Sequence, residues 1–330
     1  MDLDGLRDKI RNNNRLGFED GLAILRTAAT GGIDQICRVA EEIQSSFYRT
    51  IEFCAIVNAK SGSCPNDCSF CAQSIHNRSS VPEYPLRTPE DLLAAAVKAE
   101  RAGAHRFSLV TSGAKLSGEE LSSACETVRM IRERTNLLPC ASLGSISARE
   151  ALELRKAGLV RYHHNLETSR RFYPRICTTQ GYDDRVATVS VARDAGLEVC
   201  VGGILGLGEE EEDWLYFIGD LDRLRPDAIP LNFLDPRPGT RLEGRPVLSP
   251  EKALEAVALF RIMLPKAIIR LAGGRRKTLK HLQSRAVRTG VDAVMIGNYL
   301  TTKGPDIEAD RRMIEGLNLS PGMIRTNRNA

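Results

Sequence analysis

From residue 51 onward the chain repeats one local grammar: an amphipathic helix ends at a glycine or proline, and a short apolar strand follows. The junctions lie at Gly103, Gly158, Gly196, Pro226, Pro265 and Gly290. They mark eight predicted strands at 51–57, 105–111, 138–142, 160–164, 197–202, 228–232, 267–272 and 292–296. Helices are predicted near 89–102, 117–134, 147–157, 181–195, 209–224, 250–264 and 275–289. Thr88-Pro89 and Ser249-Pro250 each read as an N-cap followed by proline in the first turn. Strands alternating with helices pair in parallel through right-handed crossovers. Closing eight of them gives an α/β fold, a (βα)8 barrel, with a doubly wound open sheet as the rival.

The barrel takes residues 51–300 in this reading. Residues 1–50 form a helical cap at one barrel end, because Leu22, Leu25 and Ala29, then Ile36, Val39, Ala40 and Ile43, recur at helical spacing. Residues 301–330 form a polar tail with one helix near 306–316, and no linker separates a second domain. The 330 residues suit one such barrel with extensions. The 46 basic and 42 acidic residues nearly cancel, which leaves no electrostatic footprint for nucleic acid or a membrane surface. The N-terminus lacks a basic segment followed by an apolar run, and no apolar stretch approaches a membrane span. Nine cysteines without a secretion signal fit the reducing cytoplasm, and an odd number does not suggest a disulfide framework.

Cys64, Cys68 and Cys71 follow the first predicted strand with the spacing C-x3-C-x2-C. Three thiolates in one loop converge on a soft metal centre. A structural zinc site takes four closed ligands, and an electron-transfer 4Fe-4S cluster takes four cysteines. No fourth cysteine or histidine lies at a matching local spacing. Three ligands on a cubane leave one iron open to a substrate or cofactor. The alternative is a zinc knuckle completed by a distant ligand.

In a barrel of this kind the chemistry sits at the C-terminal ends of the strands. Ser108, Cys140, His163, His164, Asn165, Cys200, Asn232 and Arg270 all fall on predicted strands or at those ends. An inward Arg270 would need an anionic partner. Cys140 and Cys200 would supply one by holding a second iron–sulfur cluster, or are ordinary small buried residues. Glycines in Gly202-Gly203-Ile204-Leu205-Gly206 let backbone approach a ligand closely, or simply make a turn before a helix. Asn165 offers both a donor and an acceptor, which suits a urea-like group, and Glu167 suits a ribose. Cys37 and Cys125 lie on apolar helix faces and read as packing residues.

The cysteine spacing resembles the signature of radical S-adenosylmethionine (SAM) enzymes. Further stretches resemble the biotin synthase family: residues 58–62, Tyr162 to Ser169, Gly202 to Glu209, 230–232 and Ile269 to Arg275, in motif order over about 50–305. The resemblance implies a 4Fe-4S cluster on Cys64, Cys68 and Cys71 whose open iron binds SAM. It places Phe70 near the adenine, Glu167 at the ribose and Arg185 at the SAM carboxylate, with Gly202 and Gly203 along the methionine part. Asn165 and Asn232 match substrate contacts to dethiobiotin. An auxiliary 2Fe-2S cluster, typically held by three cysteines and an arginine, would fall to Cys140, Cys200 and Arg270. A reducing electron donor of the flavodoxin or ferredoxin kind, iron–sulfur assembly machinery and a homodimer are implied as partners.

Two positions depart from that pattern. Ser108 stands where a cysteine is expected, and His163 where an asparagine is expected. An alkoxide is a harder and poorer iron ligand than a thiolate. Either Ser108 ligates weakly, or Cys54, Cys140, Cys177 and Cys200 form a four-cysteine site for a larger auxiliary cluster. A hydrogenase-cofactor maturase and a metal-cluster module that binds nucleic acid are the rival functions.

Overall fold

The computed structural model describes residues 3–12, 14–47, 50–302, 304 and 306–324. The expected strands form: β1 (Thr50–Lys60), β2 (Arg106–Thr111), β3 (Leu138–Ser142), β4 (Arg161–His163), β5 (Glu198–Cys200, resuming at Gly203–Leu205), β6 (Ala228–Phe233), β7 (Ile268–Leu271) and β8 (Ala293–Met295). Each pairs in parallel with the next. Glu52, Phe53 and Cys54 then lie opposite Ala293, Val294 and Met295. That last pairing closes the barrel and excludes the open sheet.

Three helices precede the barrel: α1 (Leu3–Arg11), α2 (Phe18–Thr27) and α3 (Ile33–Phe47). The surrounding ring is α4 (Pro89–Arg101), α5 (Gly118–Arg134), α6 (Ala148–Lys156), α7 (Tyr182–Asp194), α8 (Glu211–Leu224), α9 (Pro250–Met263), then short α10 (Arg275–Leu279) and α11 (Gln283–Gly290). Thr88 and Ser249 cap α4 and α9 through their hydroxyls, as their sequences require. Helix α3 packs along α9 and α11, and α2 against α8 and α9. Gln44 on α3 donates to the Val291 carbonyl at 3.2 Å, beside the start of β8. After α12 (Ile307–Glu315), the short strand β9 (Ser320–Pro321) pairs with the first residues of β1. The tail is therefore not wholly polar in effect: Ile324, 3% exposed, packs beneath the barrel against Cys54, Cys200 and Ile268.

The register decides what meets inside. Cys54 lies opposite Arg106, whereas Ser108 lies opposite Cys140. Cys140 lies opposite Arg161, whereas His163 lies opposite Cys200. Cys200 lies opposite Ala228, whereas Pro230 lies opposite Arg270. Arg270 lies opposite Ala293, whereas Met295 lies opposite Cys54. The pairing advances two residues on every even strand. Residues from odd and even strands therefore occupy alternate layers, as this barrel geometry demands.

The layer of Arg106, Arg161, Ala228 and Ala293 is tied to the one beneath it, which contains Glu52 and Glu198. Arg106 donates to Glu52 at 2.8 Å and to Glu198 at 3.1 Å, and Arg161 donates to Glu198 at 2.7 Å. Two cations and two anions cancel where water does not reach, and an unpaired ion there would be prohibitive. Arg161→Met leaves one negative charge in excess in this sealed layer. It is expected to lower the unfolding free energy of the apoprotein by about 3–5 kcal/mol, measured by urea titration; a loss within error would show that the network carries no such load.

Candidate functional site

The loop after β1 is shaped by backbone before its thiols act. Gly62 turns it with a positive φ of 80°, and a Cβ there would come within 2.4 Å of the Glu83 side chain. The Cys64 amide donates to the Gln73 carbonyl at 3.0 Å, and the Ile75 amide returns to Cys64 at 3.0 Å. The Asn77 amide donates to the carbonyls of both Cys68 and Cys71, at 3.0 and 2.8 Å. Asp67 anchors the loop to the segment after β4. Its carboxylate accepts from the Thr178 amide and hydroxyl at 2.8 and 2.7 Å and from Thr179, which holds its pKa well below the carboxylate range despite the burial that opposes it. All three cysteines of the loop, and half-buried Phe70, line one cavity of about 430 Å³ at the C-terminal mouth of the barrel. Burial pushes the Cys71 thiol up to about 11.

Arg185, reaching in from α7, stands beside that loop. It donates to the Tyr173 hydroxyl at 2.7 Å and to the Asn165 carbonyl at 2.9 Å, and it lies 3.6 Å from Glu167 and 3.9 Å from the Cys68 sulfur. Burial raises the Glu167 pKa, with Arg185 opposing the rise. The Asn165 side-chain oxygen accepts from the Gly202 amide at 3.3 Å, while Asn232 donates to the Gly203 carbonyl at 3.0 Å and accepts from the Gly273 amide at 2.9 Å. Both asparagines face the cavity with their side chains fixed by backbone. Gly202 and Gly203 also answer to packing. A Cβ on Gly202 would sit 2.1 Å from the Pro230 carbonyl oxygen, and one on Gly203 would sit 2.2 Å from that of Glu167. These glycines let β5 pack between its neighbours, and Ile204 is the residue of the stretch that lines the cavity.

Deeper, Arg270 is 3% exposed and donates to the Cys200 sulfur at 2.9 Å. It also bonds His163 Nδ1 at 3.2 Å. An arginine only donates, so this contact makes Nδ1 the acceptor and puts the His163 proton on Nε2. Burial, then the charge of Arg270, keeps this histidine neutral. Among the described residues, its Nε2 and the Ser108 hydroxyl are buried with no hydrogen-bond partner, both on the layer that includes Pro230 and Met295. The cavity floor thus carries polar atoms suited to a group with acceptor atoms. Cys54, Cys140 and Cys200 are all free and buried on the layer below.

Cys177 is not with them, which corrects the four-cysteine site. It follows Tyr173 in the turn beyond β4 and hydrogen-bonds Cys68, while its sulfur lies 3.8 Å from the Thr179 hydroxyl. Their mutual bond pushes the Cys68 thiol up and the Cys177 thiol down. Cys37 and Cys125 belong to the hydrophobic core, as expected. Among the described residues, no three His, Cys, Asp or Glu side chains are gathered to hold a single metal ion. Sequence reasoning missed Asp67, Asn77 and Tyr173. It also missed the charged floor, although Glu52, Arg106, Arg161 and Glu198 each stand two residues before Cys54, Ser108, His163 and Cys200. On strands that spacing means one face.

Residues 60–221 match the family model of the Radical SAM superfamily, and residues 230–320 match that of the Biotin and Thiamin Synthesis associated domain. A biotin synthase of Pelotomaculum thermopropionicum is 44% identical over 318 residues, covering 94% of this chain and 97% of the relative. A biotin synthase of Geobacter metallireducens is 43% identical, covering 97% and 98%. Of solved structures, methylornithine synthase superposes with a TM-score of 0.83 at 20% identity, covering 96% of this chain and 97% of that one. The FeFe-hydrogenase maturase HydG from Carboxydothermus hydrogenoformans superposes at 0.77 and 20%, covering 89% and 70%. Those two likenesses concern the fold. Similarity to the curated relatives runs through almost the whole length of the barrel and its cysteine loop, and the chain belongs to the biotin synthase family of the radical SAM superfamily.

Proposed function

We propose that this chain converts dethiobiotin to biotin in the cavity at the C-terminal mouth of its barrel. The carrying observation is that one cavity joins the loop of Cys64, Cys68 and Cys71 to Arg270 at the floor. When bound, a 4Fe-4S cluster and SAM supply a 5′-deoxyadenosyl radical, and an auxiliary iron–sulfur cluster supplies the sulfur. Cys64, Cys68 and Cys71 would hold the first cluster, and Cys140, Cys200 and Arg270 belong to the second.

The chain's own work is to bind, orient and exclude water. Arg185, fixed by Tyr173 and the Asn165 carbonyl, presents its guanidinium to the SAM carboxylate beside the cysteine loop. Glu167 accepts from the ribose hydroxyls, and Phe70 packs near the adenine. Asn165 and Asn232, held by Gly202, Gly203 and Gly273, each present an amide to the ureido group of dethiobiotin. Apolar Ile56, Val110 and Ala272 line the same cavity and suit an alkyl chain. A low-potential electron donor and iron–sulfur assembly machinery serve both clusters, and a homodimer in the cytoplasm completes the reading. No helix among the described residues is long and apolar enough to cross a membrane.

Anaerobically reconstituted protein given SAM, dethiobiotin and a reductant is expected to yield biotin together with methionine and 5′-deoxyadenosine. Deoxyadenosine without biotin would point to another radical SAM reaction. Arg185→Lys keeps the charge but loses the planar fork. Its SAM affinity is expected to fall about ten- to hundredfold, the scale of a lost charge-assisted hydrogen bond, and equilibrium binding that is unchanged would remove Arg185 from the SAM site. Cys177→Ala is expected to keep the first cluster and its spectral response to SAM. Loss of that cluster would make Cys177 a fourth protein ligand and close the position SAM needs.

A further inference from the structure

Cys177 is a buried thiol that the proposed reaction leaves without a task. The loop after β1 and the turn after β4 are tied together on both sides of it. The Asp67 amide donates to the Thr179 hydroxyl at 2.9 Å, and the Asp67 carboxylate accepts from the Thr178 amide at 2.8 Å. The Ser69 amide donates to the Ile176 carbonyl at 2.8 Å. Cys68 lies between Asp67 and Ser69, and Cys177 lies between Ile176 and Thr178. These flanking ties bring the two cysteines together, and their side chains hydrogen-bond. Cys68 is 7% exposed and Cys177 2%.

We infer that the Cys177 thiol donates a hydrogen bond to the Cys68 sulfur when the first cluster is bound, and that this bond raises the cluster's reduction potential. The inference rests on the reading that Cys64, Cys68 and Cys71 hold a 4Fe-4S cluster. Cys177 keeps its proton and is a positioning residue, not a ligand.

Counting donors and acceptors fixes the direction of the bond. Cys68 releases its proton as it binds iron, so its sulfur then only accepts. The Cys177 sulfur accepts from the Tyr173 hydroxyl and the Gln180 amide, which leaves its own proton to be placed. Tyr173 is free to donate, because its oxygen already accepts from Arg185 at 2.7 Å. Two acceptors compete for the Cys177 proton. The Thr179 oxygen is neutral and 3.8 Å away, it accepts from the Asp67 amide, and its own proton goes to the Asp67 carboxylate at 3.1 Å. The iron-bound Cys68 sulfur is anionic, and a hydrogen bond to a charged acceptor is about twice as strong as a neutral one. The proton therefore goes to Cys68.

Cys68 differs in this from its neighbour in the loop. Cys71 accepts from the backbone amides of Gln73 and Ser74. Cys68 faces side-chain donors, Cys177 and the Arg185 guanidinium at 3.9 Å. Hydrogen bonds to the sulfurs are one of the levers that set the potential of an iron–sulfur cluster. Reduction adds negative charge that spreads onto sulfur, so a donor favours the reduced form. At this depth water does little to screen the effect. Tyr173 joins Cys177 to Arg185, so the donor to Cys68 and the guanidinium set for the SAM carboxylate belong to one network.

The test uses the full chain, reconstituted anaerobically with iron and sulfide and titrated electrochemically. The reduced first cluster is followed by its electron paramagnetic resonance, recognised by its response to added SAM. At the wild-type midpoint, Cys177→Ala is expected to hold a ratio of reduced to oxidised cluster about two- to tenfold lower, the scale of one net hydrogen bond. Its pulsed spectra in D2O are expected to lose an exchangeable deuteron coupled to the cluster. Cys177→Ser restores a donor and is expected to recover both the ratio and the deuteron. An unchanged or higher ratio in Cys177→Ala, or a Cys177→Ser ratio that falls as far, overturns the inference. If Cys177→Ala loses the first cluster while the auxiliary cluster persists to report an intact barrel, Cys177 is a ligand, and the three-cysteine reading has failed with the inference. If Cys177→Ala does not fold, the deuteron is sought in the wild type and in Cys177→Ser, and its absence from both overturns the inference equally.

Discussion

The two-residue advance of register on every even strand governs this molecule. It brings side chains far apart in sequence to one height, and it separates neighbours in sequence into different layers. Cys54 and Arg270 are 216 residues apart in the numbering, yet they meet because β1 and β7 are both odd strands. Ser108 lies opposite Cys140 in the ladder, but the sheet is tilted and staggered, so opposite in the ladder is not level in the barrel. A one-residue slip in any strand would turn that strand's interior set outward. The layers of charge, sulfur and polar atoms therefore stand or fall with barrel closure.

Electrostatics follows this layering. The floor charges cancel among Glu52, Arg106, Arg161 and Glu198, none more than 1% exposed. Arg270 sits just above, with no carboxylate of its own among the described residues, and leans on sulfur instead. Effective dielectric is low at that depth, so the absence of a carboxylate partner is costly unless another anion supplies the field. His163 does not help as a cation, since burial and Arg270 both hold it neutral. Each charged group on the floor thus has a partner in its own or an adjacent layer, except the one directly beneath the cavity. That is where an anionic group belongs.

Much of this was legible in the sequence because it depends on local signals. Helix caps at Thr88 and Ser249, glycine and proline junctions, and short apolar strands are all written within a few residues. The cysteine loop was legible for the same reason, since its three ligands fall within eight residues. Height around the barrel was not legible, because it emerges only when eight strands close. Cys54 and Cys177 accordingly looked alike as spare thiols, although one lies in the sulfur layer and the other against Cys68. Gly202 and Gly203 suggested contact with a ligand, because the same lack of a side chain serves packing against Glu167 and Pro230. The charged floor did leave a trace, a charge two residues ahead of each interior site position. Seen strand by strand, that trace looks like ordinary polar residues at strand entries.

The mouth is built by a different principle from the floor. Loops must hold the cysteines there, and loops are mobile unless tied. Here the ties are polar and numerous. Asp67 gathers four donors from Thr178 and Thr179, Asn77 holds two cysteine carbonyls, and Ser69 donates to the Ile176 carbonyl at 2.8 Å. The loop after β1 is thereby fastened to the turn after β4, and the same turn carries Tyr173, which fixes Arg185. A short-lived radical rewards such fastening, because it attacks whichever hydrogen is nearest. Selectivity then comes from holding cofactor and substrate in one frame rather than from acid–base strength. That accounts for a site whose histidines, His163 and His164, are both buried and neutral, while its side-chain amides are locked to backbone. Geometry at the mouth and charge at the floor meet in a single cavity, and the chain spends its polar residues on keeping both in register.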